Sequence, residues 1–257
     1  MAMRFQRWLA SLANALFPGR CMGCGDLYDR CPAGRENAAD FTAALAPHFC
    51  PRCRCQWTPV GSPLCRRCGM VFKSREGEDH LCGRCLERPG VFTKARAAGI
   101  YDQSLRIAIQ AFKFKARVQL AAPLGRQLYG TFRQHWSDGD IDLIAPVPLH
   151  QQRFRRRGFN QAYLLIAGWR LSGETVIVRD LLMRHRATTP QTGLDRRQRR
   201  SNLNNAFSMY RPGQSTGRRV LLVDDVFTTG ATAEACARVL LRDGAARVDV
   251  LTLARAL

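Results

Sequence analysis

The sequence predicts an α/β protein whose parallel sheet is preceded by a small cysteine-rich region. In the last two thirds of the 257 residues, short runs of Val, Ile and Leu alternate with helical patterns of apolar residues. Repetition of strand, helix and strand is typical of a parallel sheet, which binds ligands beyond the carboxyl ends of its strands. Ten of the eleven cysteines lie between Cys21 and Cys85. The change in composition near Gly90 predicts two domains, residues 1–90 and residues 91–257.

The apolar patterns predict the elements in order along the chain. An N-terminal helix is expected to end at Pro18-Gly19, because apolar residues recur before it at three- and four-residue steps, at Phe5, Trp8, Leu9, Leu12 and Leu16. Residues 95–102 are expected to form a strand, and runs rich in Val, Ile and Leu predict buried strands at residues 141–148, 175–182, 218–226 and 247–256. Helical spacing predicts one helix through Leu105, Ile109 and Phe112 and others at residues 120–136, 161–171 and 233–242.

Charge and composition narrow the class of protein. Forty Lys and Arg against twenty Asp and Glu give a net charge of +20, which predicts polyanionic partners, with phosphate groups the first expectation. Residues 151–200 hold twelve arginines against three acidic residues, so the positive charge is concentrated there. No run approaches the roughly 20 apolar residues of a membrane span, so no transmembrane segment is expected. Many patterned cysteines in a chain of this length favour metal binding in a reducing cytoplasm over a disulfide scaffold.

Four Cys-x-x-Cys pairs provide ligands for two metal ions. Tetrahedral zinc takes four thiolates, so consecutive pairing predicts two structural Zn²⁺ ions, one held by Cys21, Cys24, Cys50 and Cys53 and one by Cys65, Cys68, Cys82 and Cys85. Crossed pairing, in which the first pair joins the third, is also compatible with the spacing. Cys31 and Cys55 are left over, and Cys236 falls in a helical pattern as a small core residue. Closed four-cysteine coordination has no open position, so the expected role is structural.

The run VLLVDDVFTTGAT at residues 220–232 predicts the main binding site. A buried strand is followed by paired acids, Asp224 and Asp225, and then by a turn of small residues that begins a helix: Thr228, Thr229, Gly230, Ala231 and Thr232. Small residues at a helix N-terminus let backbone amides converge on a phosphate, and the helix dipole favours the anion. The acids need a hydroxyl-rich or cationic neighbour, such as a ribose or a magnesium-bound water. Together the two halves suit a sugar phosphate.

This run resembles the signature of the type I phosphoribosyltransferases for 5-phosphoribosyl-1-pyrophosphate (PRPP). The resemblance implies that Asp224 and Asp225 bind the ribose hydroxyls, that residues 228–232 bind the 5′-phosphate, and that Mg²⁺ accompanies PRPP. The segment APVPLHQQR at residues 145–153 resembles the pyrophosphate loop of the same proteins, with the residues Pro146, Val147, Pro148 and Arg153. The basic segment at residues 185–203 corresponds to a loop that closes over ligand in these proteins. An ordinary proline turn and a solvated surface loop would look similar.

The whole layout resembles the ComF family. Paired cysteines precede the segments FKFKA, PVPLH, RRRGFNQA and TPQTGLDRRQRRSNL, which are followed by the PRPP run. The resemblance implies a cytoplasmic protein, at the inner face of the membrane through partners, that helps single-stranded DNA enter the cell in natural transformation together with DNA-uptake proteins. Arginines in the basic segments would contact DNA phosphates: Arg155, Arg156, Arg157, Arg196, Arg197, Arg199 and Arg200. Phe154, Phe159 or Trp57 would stack on bases, with core packing as the alternative for all three.

Two other functions remain open from the sequence. An active phosphoribosyltransferase would use Mg²⁺ and Arg153 to neutralise departing pyrophosphate, but no residue identifies the acceptor or the nucleophile. A regulator that senses PRPP without turnover needs only the binding site.

Overall fold

A parallel sheet lies at the centre of the protein. The computed structural model describes residues 18–28, 45–74, 76–185 and 205–257. In these ranges the strands are β1 Gly19–Arg20, β2 Leu27–Tyr28, β3 Ala95–Ile100, β4 Leu143–Pro146, β5 Val176–Ile177, β6 Leu182–Arg184, β7 Phe207–Met209, β8 Arg219–Phe227 and β9 Arg247–Arg255. The α-helices are α1 Pro51–Arg54, α2 Gly83–Glu87, α3 Gln103–Phe114, α4 Ala121–His135, α5 Gln151–Arg157, α6 Gln161–Ile166 and α7 Ala231–Arg242.

The central sheet has the order β3-β9-β8-β4-β5, and every adjacent pair is parallel. Two apolar clusters pack against it. One contains α3, α4 and the buried side chains Leu221 and Val223 of β8; the other contains α7 together with Val220 and Leu222 of the same strand. Alternating residues of β8 therefore serve opposite faces, as the two-residue period of a strand requires. The predicted fold class, α/β with a parallel sheet, is confirmed.

An ion pair holds together the amino ends of the adjacent strands β4 and β8. Arg219 donates from its backbone N–H to Asp142 Oδ2 over 2.7 Å, and its guanidinium donates to both carboxylate oxygens over 3.0 and 2.6 Å. Hydrogen bonds from Arg219 lower the pKa of Asp142 to about 2. This contact aligns β4 with β8 at one end, so their carboxyl ends meet at the other.

Most of the predicted elements of the sheet region are confirmed within a few residues at each end. The helix through Leu105, Ile109 and Phe112 is α3, and all three side chains are fully buried. The helix expected at residues 161–171 is shorter, ending at Ile166. Helix α5 was not among the predicted elements; it begins after the proline turn, capped by the His150 side chain, which accepts from Gln152 N.

The single buried strand expected at residues 175–182 is wrong. A turn at Arg179 and Asp180 divides the segment. The part before it is β5, a two-residue edge strand whose Val176 is 53% exposed, and the part after it enters β6, which pairs antiparallel with β7 in a separate sheet. A run of apolar residues has the same composition whether it forms one strand or two. Here only the polar pair Arg179 and Asp180 marks the break.

Two of the predicted segments fall on residues that the structure does not describe, and one expectation concerned membrane spans. The N-terminal helix around Phe5 to Leu16 and most of the segment at residues 185–203 lie outside the described ranges. Among the helices in the described ranges, none has both the length and the apolar character needed to span a bilayer.

Candidate ligand cleft and cysteine groups

A cleft of about 190 Å³ lies beyond the carboxyl ends of β4 and β8. The turn after β4 contributes Val147, Pro148 and Leu149, and the turn after β8 contributes Thr228 and Gly230. Helix α7 begins at the cleft, with Ala231, Thr232 and Ala233 in its wall. The location is the one at which open parallel sheets bind ligands. We call this cavity the cleft and residues 228–232 the phosphate loop.

The paired acids, Asp224 and Asp225, lie near the carboxyl end of β8, just before the phosphate loop, and both line the cleft. Asp225 is 3% exposed, and its Oδ2 lies 2.6 Å from Lys113 Nζ of α3. Burial raises the pKa of Asp224 to about 6, although Lys113 and Arg184 oppose the increase. Burial likewise lowers the pKa of Lys113 to about 8. A ligand that supplied hydroxyl groups or a divalent cation to these carboxylates would therefore offset part of the cost of burying them.

Two arginines complete the charged lining. Arg153 of α5 and Arg184 of β6 lie at the cleft with Lys113, giving three cations beside two acids. Gln161 of α6 also lines it, and its side-chain oxygen accepts a hydrogen bond from Arg157. Asn160, which caps α6, donates from Nδ2 to the Val147 carbonyl over 3.1 Å and so holds the proline turn against the cleft. The cleft is therefore suited to an anion that also carries hydroxyl groups.

Gly230 is required by the geometry of the phosphate loop. It adopts φ +80 at the N-cap of α7, and a Cβ built on it would lie 2.6 Å from Phe227 Cζ. A side chain at this position would therefore be strained and would collide with a buried ring. The glycine brings the amino end of α7, where first-turn amides have no intrahelical acceptor, up to the cleft.

The structure brings most of the sequence-predicted cleft residues together. Asp224, Asp225, Arg153 and much of both turns line one cavity, whereas Pro146 and Thr229 do not. The Thr229 carbonyl instead accepts a hydrogen bond from Arg84, which lies in the cysteine-rich region. Sequence reasoning missed Lys113 and Arg184 as cleft residues. The segment FKFKA contains Lys113, but nothing local relates that lysine to acids more than a hundred residues later.

A basic surface continues from the cleft. A second cavity is lined by Lys113, Phe114, Ala116, Arg153, Arg156 and Arg157, so it shares Lys113 and Arg153 with the cleft. Phe114 is 68% exposed, and the Arg157 guanidinium lies 5.6 Å from the centre of its ring. Arg155 and Arg156 are exposed on α5. We call the residues of this second cavity, together with Arg155, the basic surface. The other predicted arginines, at 196, 197, 199 and 200, lie outside the described residues.

The three aromatic side chains predicted to stack on bases differ in their environments. Phe159 stacks on Phe112 of α3 with ring centroids 5.4 Å apart, and Trp57 packs against Gly99 of β3. Both rings are partly buried and pack against the apolar core, as the alternative for them predicted. Phe154 is 38% exposed, and Phe114 is the more exposed ring beside the arginines.

The described cysteines of the N-terminal region form two groups, each able to hold a metal ion. Within each group the sulfur atoms lie within 4.8 Å of one another; the first cysteine group is Cys21, Cys24, Cys50 and Cys53, and the second is Cys65, Cys68, Cys82 and Cys85. The sulfurs thus meet in the consecutive arrangement rather than the crossed one. Cys55 is exposed and belongs to neither group, and Cys236 is fully buried in the core; Cys31 lies outside the described residues.

The chemistry of both groups fits zinc. In the second group, burial opposes ionisation of Cys65, but backbone N–H donors at Cys82 and Cys68 outweigh it and lower its pKa to about 6. In the first group the same balance lowers the pKa of Cys21 to about 6. Burial and the neighbouring thiols raise the pKa of Cys53 to about 12. A soft divalent cation would remove the cost of gathering four thiolates, which is the usual role of structural zinc.

Fold and site together define a class: an α/β protein with a charged cleft at the carboxyl ends of its strands and two four-cysteine groups able to hold metal ions. No family model matches the chain. The DNA utilization protein YhgH of Escherichia coli O157:H7 is 38% identical over 198 residues, which are 76% of this chain and 85% of that protein. Competence protein F of Haemophilus influenzae is 35% identical over 206 residues, 79% of this chain and 89% of that protein.

A more distant relative also bears a competence name. Competence protein ComFC of Bacillus subtilis is 26% identical over 217 residues, 82% of this chain and 79% of that protein. The chain belongs to the ComF family. Among solved structures, phosphoribosylpyrophosphate synthetase from Mycobacterium smegmatis has a TM-score of 0.29 and 17% identity, covering 51% of this chain and 33% of its own, a similarity too low to bear on fold or ligand.

Proposed function

We propose that the cleft binds PRPP and that the protein acts on single-stranded DNA during DNA uptake. The observation that carries the first half is the meeting of paired acids, three cations and the amino end of α7 in one cleft. The second half is supported by the relatives named for DNA utilization and competence and by the basic surface that adjoins the cleft.

Each part of PRPP has a partner of suitable chemistry. The 5′-phosphate would bind at the phosphate loop, where the helix terminus favours an anion. Asp224 and Asp225 would accept hydrogen bonds from the ribose hydroxyls, and their oxygens are also the ligands that Mg²⁺ prefers. Arg153 and Arg184 would neutralise the pyrophosphate. Bound Mg²⁺ would supply further positive charge to that group.

Calorimetric titration of Mg²⁺ and PRPP tests the cleft assignment. The double variant Asp224→Asn, Asp225→Asn should lose measurable binding, because amides cannot replace two charged acceptors. Asp180→Asn is the matched control, since that exposed acid lines a neighbouring cavity and not the cleft. Unaltered PRPP binding in the double variant would refute the ribose assignment.

The DNA assignment rests on the basic surface. Exposed Arg155 and Arg156 would contact phosphates, and Phe114 would stack on a base, an arrangement typical of single-strand binding. Anisotropy of a labelled oligonucleotide should show weaker binding in the variant Arg155→Ala, Arg156→Ala. Arg126→Ala, which removes an exposed arginine from α4, should bind as the wild type does. Equal affinities for all three proteins would contradict the assignment.

A phosphoribosyltransferase is the second candidate, favoured by one feature. A further cavity of about 610 Å³ adjoins the cleft and shares Pro148, Leu149 and Arg184 with it. Its wall includes Phe154 and Tyr210, so it has room and aromatic surface for an acceptor. Release of pyrophosphate from PRPP in the presence of an acceptor, lost in the double aspartate variant, would establish the transferase.

A further inference from the structure

The two cysteine groups differ in their relation to the cleft. The first group packs in the apolar cluster that contains α3 and α4. The second packs on the opposite face of the sheet, in the cluster that contains Phe227, Ala231 and Ala233 from the end of β8 and the start of α7. Only the second group is therefore packed into the same cluster as the residues that flank and form the phosphate loop.

One side chain joins the second group to the loop directly. Arg84 lies in α2 between the ligand-bearing residues Cys82 and Cys85, and its Nη2 donates a hydrogen bond to the Thr229 carbonyl. A guanidinium donor makes this a charge-assisted bond to the backbone of the phosphate loop. The position of that backbone decides where the amides of Gly230 and the following residues lie.

A second connection reaches the same loop from β9. Arg255 is 4% exposed, and its Nη1 donates to the Cys68 carbonyl over 2.9 Å. Its guanidinium lies 4.5 Å from the centre of the Phe227 ring, which packs against Gly230. The turn between Cys65 and Cys68 thus contacts the loop through Arg255 and Phe227. Both Cys-x-x-Cys turns of the second group are therefore linked to the phosphate loop.

The first group provides an internal comparison. Arg52 lies between Cys50 and Cys53 as Arg84 lies between Cys82 and Cys85, in the sequences CPRC and CGRC. Arg52 is exposed, whereas Arg84 is half-buried against the loop. The arginine between the two cysteines is therefore exposed in the first group, whereas in the second group it contacts the phosphate loop.

We infer that Arg84 is a positioning residue for the phosphate loop, and that metal loading of the second cysteine group is coupled to ligand binding in the cleft. The ion fixes the turn that carries Arg84, and Arg84 fixes the loop. Coupling of two binding equilibria is reciprocal, so ligand in the cleft must also tighten metal binding in the second group. The first group should show no such coupling. This inference rests on the proposed function only for the identity of the ligand.

The first test measures the loop without any ligand. The amides of Ala231 and Glu234 donate to the Thr229 hydroxyl and to the Gly230 carbonyl, so their exchange reports on the loop. Their hydrogen exchange should be about tenfold faster in zinc-saturated Arg84→Ala than in the wild type, because a charge-assisted bond is worth at least that factor. Arg52→Ala should match the wild type, and Arg84→Lys, which keeps one charged donor, should be intermediate. Exchange in Arg84→Ala equal to that in Arg52→Ala would overturn the inference.

The second test measures the coupling. Zinc release to a chromogenic chelator should show two kinetic phases, and Mg²⁺ with PRPP should slow one of them about tenfold in the wild type and leave the other unchanged. In Arg84→Ala, PRPP should bind about tenfold more weakly and should protect neither phase. Equal protection of both phases, or of neither in a wild-type protein that binds PRPP, would overturn the coupling. A wild-type protein that binds no PRPP would refute the proposed function, while the exchange measurement would still decide the role of Arg84.

Discussion

Replacing Lys113 by methionine should destabilise the protein strongly, because it leaves an acid buried without its cation. Lys113 Nζ lies 2.6 Å from Asp225 Oδ2, and the two side chains are only 19% and 4% exposed. Removal of one partner from a buried pair of this kind costs about 3–5 kcal/mol. Methionine keeps most of the volume of lysine, so little of the effect would come from a cavity. We therefore expect a loss of about 3 kcal/mol at pH 7, where Lys113, with its pKa of about 8, is still charged.

The size of this loss should depend on pH. The pKa of Asp224 is raised from 3.8 to about 6 by burial, so between these values the folded protein keeps a proton that the unfolded chain releases. Stability contributed by the protonated form is full below pH 4 and is lost as the pH rises through about 6. Without Lys113 the pKa of Asp224 should rise further. Protonation should then offset part of the missing cation at acidic pH, and the difference between variant and wild type should shrink there.

Urea denaturation of the zinc-saturated proteins at pH 7 and pH 5.5 would measure these quantities. The loss in Lys113→Met should be about 3 kcal/mol at pH 7 and smaller at pH 5.5. Adding Asp225→Asn to Lys113→Met should recover part of the loss, because the buried charge is then removed with its partner. A loss below about 1 kcal/mol at both values would mean that water solvates the pair, and the assignment of a buried ion pair would be wrong.

Three further results are expected. Affinity for PRPP with Mg²⁺ should increase from pH 5 to pH 7 as Asp224, with its pKa of about 6, ionises; calorimetry of Asp224→Asn should show a smaller increase, due to the ligand's own phosphate. Arg156→Ala should reduce the slope of log affinity for single-stranded DNA against log salt by about 0.7, as loss of one phosphate contact predicts, and an unchanged slope would exclude that contact. Gly230→Ala should lower stability in urea by about 1–3 kcal/mol, more than Gly139→Ala, which shares a positive φ but has nothing within 4 Å of its Cβ.

The sequence was sufficient for the elements whose signals are local. Apolar runs such as the one before Asp224 predict buried strands because nearly every residue in them is apolar, and β8 and β9 follow with bounds close to those expected. The turn between β5 and β6 was missed because two short strands and one long one have the same composition. Asp224 and the small residues after Asp225 were recognised because their chemistry is contained in a dozen consecutive residues.

The remaining cleft residues could not be predicted, because their roles depend on distant parts of the chain. Lys113 is one of several basic residues at the end of an amphipathic helix, and only the packing of α3 on the sheet places it beside Asp225. Arg184 comes from a small separate sheet. Arg84, which does not line the cleft but donates to the Thr229 carbonyl, is the clearest case of a distant contact, because its sequence environment matches that of Arg52 while its contacts do not.

The charges of the cleft support the proposal that it binds a polyanion. Burial lowers the pKa of Arg157 and of Arg184, so the fold retains cations at a cost in solvation. Lys113, Arg153 and Arg184 outnumber the two acids in the lining, and Arg157 lies just outside it. Such an arrangement is stabilised by an anion that brings several charges into the cleft at once. A phosphate alone would satisfy the loop and leave the acids with Lys113, whereas a sugar with phosphates at both ends would engage the acids, the arginines and the loop together.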